Sequence, residues 1–334
     1  MDLRIGVIGT GAIGQEHIHR MKTKLSGAKV VAVTDIDLDR AGEIAKKYGA
    51  RVERNGKDLT SANDIDAVVV TSWGPAHEEA VLDAIAAGKP VFCEKPLATT
   101  AQGCKNIVDA EIKAGKKLVQ VGFMRRYDKG YKQIKEIIDA KLYGEPLMLR
   151  CTHRNPSVDE SYGTSMAVTD TAIHEIDCLH WLINDDYVSA QVVFPKETKH
   201  THSKLKDPQL MILTTSTGIN ITVEVFVNCK FGYDIQCEVV CEEGVVKMAE
   251  PSFPTIRADE KLFQGLENDW KKRFIDAYDV EMQEWIHDTK KGEVNGPSAW
   301  DGYVAAVTAD ALVKAQETGK PEPVVTGTCP DFYR

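Results

Sequence analysis

The sequence predicts a two-domain α/β protein: a doubly wound parallel sheet in the first third, then an α+β domain built on a large, mainly antiparallel open sheet. Three observations predict it. A length of 334 residues exceeds one ordinary compact core and suits two domains. Up to about residue 123, short β-branched runs alternate with helix-like segments, the pattern of parallel strands joined by crossover helices. After Tyr127 the strand-like runs follow one another with no crossover helix between them, and such runs pair antiparallel.

Taken in order, 4–9, 30–35, 67–72, 90–93 and 118–123 are apolar enough to be strands covered on both faces. Val81, Leu82, Ile85 and Ala86 recur at helical spacing, and Gly88-Lys89-Pro90 stops that helix with a capping glycine and a proline that cannot continue it. A helix over about 129–140 opens the second half. Alternating runs at 147–153, 190–194, 211–216, 219–228 and 233–240 read as half-buried strands, with Glu242-Glu243-Gly244 turning into a further strand at 245–248. Helices over 168–183, 269–290 and 298–317 complete the second domain. The change of pattern places the boundary near 123–127, giving a doubly wound domain at 1–125 and an α+β domain at 126–334, with no internal repeat.

Composition narrows the function classes. Hydrophobic residues make up 43% and charged residues 27%, which are globular values and exclude a disordered tail protein. With 41 Lys+Arg against 50 Asp+Glu, the net charge of -9 offers no basic field for a phosphate backbone, so nucleic acid is not an expected partner. The eight cysteines, at 93, 104, 151, 178, 229, 237, 241 and 329, form no C-x-x-C and no regular framework, which fits reduced thiols in a cytoplasmic protein. Met1 runs into the strand-like Arg4-Ile5-Gly6-Val7-Ile8 without a basic leader, an apolar core or a cleavage site. The longest uncharged stretch, 210–223, is too short and too rich in Thr to span a membrane.

Four motifs carry chemistry. The first strand runs into Gly9-Thr10-Gly11-Ala12-Ile13-Gly14, a G-x-G-x-x-G between strand and helix. That order lets backbone approach a pyrophosphate closely while the helix N-terminus offers N–H groups and its dipole, as in the Rossmann fold. Asp35 ends the second strand, about twenty residues further on, where a carboxylate accepts hydrogen bonds from both adenine-ribose hydroxyls and selects NAD. Asp37 and Asp39 add negative charge, and Arg40 is the only nearby cation for a 2′-phosphate. Glu94-Lys95-Pro96 closes the next-to-last strand of the first domain at the sheet edge where ligands collect, and a lysine there positions a hydroxyl and stabilises a developing alkoxide. Last, Asp170 and His174 stand four apart in a helix-like segment, so the carboxylate orients the imidazole for acid/base work, with Asp177 on the same side. Asp170, His174 and Cys178 also form a row at i, i+4 and i+8, but the segment fails H-E-x-x-H and no metal is expected.

Together with Thr71-Ser72-Trp73-Gly74-Pro75-Ala76-His77, Gly122-Phe123-Met124-Arg125-Arg126-Tyr127-Asp128, His153-Arg154-Asn155-Pro156, Gly232-Tyr233-Asp234-Ile235-Gln236-Cys237 and Trp300-Asp301-Gly302-Tyr303, these motifs resemble the glucose-fructose oxidoreductase/inositol dehydrogenase family (Gfo/Idh/MocA) over nearly the whole chain. The resemblance implies NAD-dependent oxidation of myo-inositol, or a close stereoisomer, to the inosose, with Lys95, Asp170 and His174 as the catalytic set. It implies cofactor contacts at Gly9 through Gly14 (Thr10, Gly11, Ala12 and Ile13 between them), at Asp35 and Ile36, at Ser72, Trp73 and His77, and at Glu94 and Lys95. Arg125, His153, Asn155, Asp177, Tyr233 and Trp270, beside Asp170 and His174, are the implied substrate contacts, because a cyclitol with many hydroxyls needs many donors and acceptors. A homotetramer formed through the outer faces of the second-domain sheets is implied as well. The alternatives left open are a sister oxidoreductase acting on scyllo-inositol or another sugar or polyol, and a nonenzymatic NAD-binding sensor or corepressor; intact Lys95, Asp170 and His174 argue against the latter.

Overall fold

The computed structural model describes residues 1–249 and 253–334, which divide into two compact units. The first comprises Met1–Met124, Tyr278–Ala306 and Thr326–Arg334, the second Arg125–Ala277 and Val307–Val325. The division is therefore not the single cut at 125/126 that the change of pattern suggests. Two later segments return to the first unit, because a helix announces its apolar face in sequence but not what that face packs against.

In the first unit, β1 (Leu3–Ile8), β2 (Ala28–Thr34), β3 (Arg51–Val52), β4 (Ala67–Val70), β5 (Val91–Glu94) and β6 (Val119–Gly122) form a six-stranded sheet of order β3-β2-β1-β4-β5-β6. Every pairing in it is parallel. The crossovers are α1 (Ala12–Thr23), α2 (Leu38–Tyr48), α3 (Gly56–Ser61), α4 (His77–Ala86) and α5 (Ala101–Ala114). β4 and β5 are buried along their whole length, as strands covered on both faces must be. One core cluster joins Ile5, Val7, Val33, Val69 and Phe92 of the sheet to Ile18 and Met21 of α1 and to Met282, Trp285 and Ile286. Strand order reverses at β1, so the loops after β1, β2, β4 and β5 open at the carboxyl edge where such sheets bind ligands.

In the second unit, β7 (Pro146–Arg154), β8 (Tyr187–Val193), β9 (Gln209–Thr215), β10 (Asn220–Phe226), β11 (Asp234–Cys241), β12 (Val245–Lys247) and β15 (Glu322–Pro323) make a seven-stranded sheet of order β12-β11-β7-β10-β9-β8-β15. It is mixed: β7 and β10 run parallel at its centre and every other pairing is antiparallel. Alternation is regular, with Leu149, Cys151 and His153 of β7 and Ile221, Val223 and Val225 of β10 buried on one face. α6 (Lys129–Asp139) packs against α7 (Ile173–Ile183). A short hairpin, β13 (Ile256–Ala258) with β14 (Lys261–Phe263), stands outside the large sheet. α8 (Trp270–Lys291) and α9 (Ala299–Thr318) each carry residues of both units. Among the described residues no disulfide forms and no helix is long and apolar enough to cross a membrane.

Candidate active site

The first unit holds a cavity of about 650 Å³ whose lining includes Gly9, Gly11, Thr34, Asp35, Ser72 and Trp73. The glycines of the loop that opens α1 are used in three ways. Gly9 has φ of +102°, and a Cβ there would lie 2.4 Å from the backbone N of Ser72. A Cβ on Gly14, inside α1, would lie 2.2 Å from Gly9 O, so glycine is what lets the helix start against the loop. At Gly11 a Cβ would meet no atom of the protein within 4 Å. The fold does not demand glycine at that position, whereas close approach of a pyrophosphate does. The residues present therefore fit a dinucleotide.

Asp35 lines the same cavity. Thr10 donates to Asp35 Oδ2 from its backbone N at 2.6 Å and from Oγ1 at 2.9 Å, and Asp37 N donates to Oδ1 at 3.0 Å. Arg40 Nη2 donates to the same Oδ1 at 2.6 Å. Burial alone would raise the Asp35 carboxyl, but these hydrogen bonds hold it below the ordinary value, so it stands as a carboxylate. Arg54 and Asn55 also line the cavity, and nothing in the spacing from Gly14 to Asp35 points to them. Ile36 and Trp73 present large exposed apolar surfaces, 101% and 83% accessible, at the same rim.

His77 is buried, and its ring nitrogens reach Pro96 O at 2.7 Å and Ser72 O at 2.9 Å. Its visible work is to tie the loop after β4 to the loop after β5. Glu94 is likewise buried, with Oε1 on His17 at 2.7 Å and Oε2 accepting the Lys95 backbone N–H at 3.2 Å. Both are expected cofactor contacts whose side chains are engaged with the protein.

In the second unit, Asp170 lies in a π-helical turn, Ala167–Ala172, which passes directly into α7. The interval from Asp170 to His174 is thus not one α-helical face, as the spacing suggests, but crosses a change of helix type of the kind that re-aims side chains at functional sites. Asp170 is exposed and His174 is buried. The His174 ring centroid lies 6.5 Å from that of His153, which in turn meets Tyr233 edge-on at 5.7 Å. Burial pushes the Tyr233 hydroxyl up to about 12, so it remains a phenol at neutral pH.

Arg125 is buried in an ion pair with Glu175, and its Nη2 lies 3.1 Å from His153 Nδ1, with Glu175 Oε2 3.0 Å from the same nitrogen. Arg126 grips Asp177 through Nε at 2.9 Å and Nη2 at 2.5 Å. Glu175 and Arg126 are absent from the expected site residues; each is the immediate sequence neighbour of a residue that is expected. Asn155 continues β7, with its N donating to Phe226 O at 2.9 Å and its O accepting Cys229 N at 3.0 Å. Trp270 is half-buried at the start of α8.

The glycine-lined cavity at the carboxyl edge of the first unit's parallel sheet fits the dinucleotide of an oxidoreductase. The chain belongs to the Gfo/Idh/MocA oxidoreductase family: the family's NAD-binding Rossmann fold matches residues 3–123 and its C-terminal alpha/beta domain matches residues 135–325. It is 59% identical to an inositol 2-dehydrogenase of Serratia proteamaculans over 100% of this chain and 99% of that one. It is 57% identical to an inositol 2-dehydrogenase of Pseudomonas savastanoi pv. phaseolicola over 100% of both chains. Among solved structures, a myo-inositol dehydrogenase from Lactobacillus casei in complex with NAD(H) and myo-inositol matches with a TM-score of 0.98 and 44% identity, covering 100% of both chains.

Proposed function

We propose that the protein oxidises myo-inositol to scyllo-inosose with NAD. The observation that carries this reading is the end-to-end likeness, at 44% identity, to a structure that holds NAD(H) and myo-inositol together. When bound, NAD accepts a hydride at its nicotinamide ring. The cavity lined by Gly9, Gly11 and Asp35 supports binding it, with the α1 N-terminus facing the pyrophosphate and the carboxylate taking the ribose hydroxyls.

His174 takes the proton of the reacting hydroxyl as general base, Asp170 orients it and stabilises its cation, and Lys95 binds that hydroxyl and stabilises its developing negative charge. His153, Asn155, Tyr233 and Trp270 provide donors, acceptors and an aromatic wall for the ring hydroxyls. Arg125 and Asp177 hold their places through Glu175 and Arg126 and bind substrate from those fixed positions. Residues 1–125 serve the dinucleotide and 126–334 the substrate and subunit contacts, with the two returning segments bracing the first unit.

We also propose a cytoplasmic homotetramer. Leu147, Val188, Val193 and Val245 are exposed at 48%, 44%, 40% and 58% on strands of the large sheet, apolar side chains that subunit contact would cover. Sedimentation of the purified protein measures that. The function is tested with a panel of cyclitols, sugars and polyols offered with NAD and read at the NADH absorbance. Turnover of myo-inositol above the others is the expected result; turnover only of scyllo-inositol or of a non-cyclitol polyol moves the assignment to a sister dehydrogenase, and none at all favours a sensor.

A further inference from the structure

From buried Glu94, beside Lys95, a file of ionisable side chains that none of the roles above uses runs out to the surface at Lys24. His17, in α1, is fully inaccessible. It donates from Nε2 to Glu94 Oε1 at 2.7 Å, and Arg20 Nη1 donates to its Nδ1 at 2.6 Å. Arg20 Nε then donates to Asp279 Oδ1 at 3.0 Å, and Lys24 Nζ donates to Oδ2 at 2.9 Å. At the other end, Glu94 Oε2 accepts the Lys95 backbone N–H at 3.2 Å. Every member belongs to the first unit.

Packing alone does not account for this file. The His17 ring meets Phe92 at 5.6 Å and Tyr278 at 5.9 Å, both edge-on, and a phenyl ring would fill the same volume without burying polar atoms. What a phenyl lacks is one donor and one acceptor on opposite sides of the ring. Arg20 is permanently protonated and only donates, so His17 Nδ1 is an acceptor and the ring proton sits on Nε2, facing Glu94. Burial draws the His17 pKa below its ordinary value, which agrees with a neutral ring. Burial alone would raise Glu94, yet the His17 hydrogen bond and nearby Lys95 keep it below the ordinary carboxyl value. A neutral imidazole therefore faces an ionised carboxylate, with Glu16 acting on His17 only through its field.

We propose that His17 is a positioning residue: with its tautomer fixed by Arg20, it holds Glu94 so that the second carboxylate oxygen fixes the Lys95 backbone and aims the lysine at the reacting hydroxyl. This rests on the role given to Lys95 under the proposed function. The experiment compares wild type with His17→Phe, which keeps the ring, and His17→Gln, whose amide supplies an acceptor for Arg20 and a donor for Glu94. His17→Phe lowers kcat about ten- to hundredfold while the Kd for NADH, from fluorescence titration, stays within about twofold; His17→Gln recovers most of that loss. Equal kcat in the Phe variant and wild type, or a loss that the Gln variant shares in full, overturns the proposal. Nitrogen NMR of labelled histidine in the wild-type protein decides it even if the Phe variant does not fold. His17 then shows the Nε2–H tautomer and no titration from about pH 5.5 to 9, and an Nδ1–H tautomer or a titrating ring overturns the assignment. A wild type inert towards every cyclitol sinks the functional reading, and the tautomer measurement still judges this one.

Discussion

Arg40 Nη2 lies 2.6 Å from Asp35 Oδ1, so the carboxylate proposed to receive the adenine ribose carries its own counter-ion. The same arginine reaches Asp37 Oδ2 at 3.3 Å, and Asp37 caps α2 through the Arg40 backbone N–H at 3.0 Å. The acidic turn is thus a small closed network whose cation already lines the nucleotide cavity.

The network sets the expected cofactor preference. A 2′-phosphate about 4 Å from an ionised Asp35 is opposed by about 4 kcal/mol at an effective dielectric constant of about 20, part of which Arg40 offsets. NAD is therefore preferred over NADP in kcat/KM at saturating inositol. Asp35→Ser removes the repulsion, leaves Arg40 for the phosphate, and narrows the preference at least about tenfold; adding Arg40→Ala reverses part of that gain. Wild-type kcat/KM equal for the two cofactors would overturn the account.

Gly11 and Gly14 separate ligand approach from fold. A Cβ on Gly14 collides with Gly9 O at 2.2 Å, so Gly14→Ala lowers the stability by about 1–3 kcal/mol, as overpacked sites do, and with it the unfolding midpoint. A Cβ on Gly11 has open space, so Gly11→Ala leaves the midpoint of the unliganded protein nearly unchanged and weakens NADH binding instead. Thermal melts with and without NADH check both, and a Gly11→Ala protein that binds NADH like wild type removes the pyrophosphate from that position.

Glu175 makes the second unit sensitive to acid. Burial alone would raise its carboxyl, but the Arg125 charge and His153 hold it below the ordinary value. A carboxyl depressed by folding contributes stability that is present above its unfolded pKa, about 4.3, and is lost as pH falls through the folded value. Denaturant midpoints therefore stay level near neutrality and fall below that region. Glu175→Gln leaves Arg125 buried without its carboxylate, costs about 3–5 kcal/mol at pH 7, and flattens the acid limb. An unchanged acid limb in this variant would place the sensitivity elsewhere.

Strands such as β4 and β5 were legible because burial on both faces leaves an unbroken β-branched run, whereas β3, two residues including Arg51, leaves none. The parallel pairing of β10 with β7 joins residues some seventy positions apart, which no local pattern encodes. Among the chemistry-bearing residues, Asp35, Lys95, Asp170 and His174 stood out by type and spacing. The groups that hold the expected residues in place did not. His17 reaches Glu94 across 77 positions and Arg126 reaches Asp177 across 51, so these contacts exist only once the chain has folded. The π turn at Ala167–Ala172 was hidden for a related reason: its residue types are compatible with an α-helix, and its hydrogen-bond pattern carries no composition of its own.

His174 is the residue on which the proposed chemistry turns. It is buried at the start of α7, beside His153. Removing a proton as the hydride leaves is worth about 10² to 10⁴-fold, or about 3 to 5 kcal/mol. His174→Ala therefore lowers kcat by that factor. NADH affinity stays close to wild type, because Gly9, Gly11 and Asp35 belong to the first unit and His174 to the second. Wild-type kcat/KM rises with pH as the base loses its proton, and that limb is absent from the variant. Asp170→Asn, which keeps the shape but not the charge, gives a smaller loss. Full turnover with an unaltered pH profile in His174→Ala would make His174 structural and leave Lys95 or Asp170 to carry the proton.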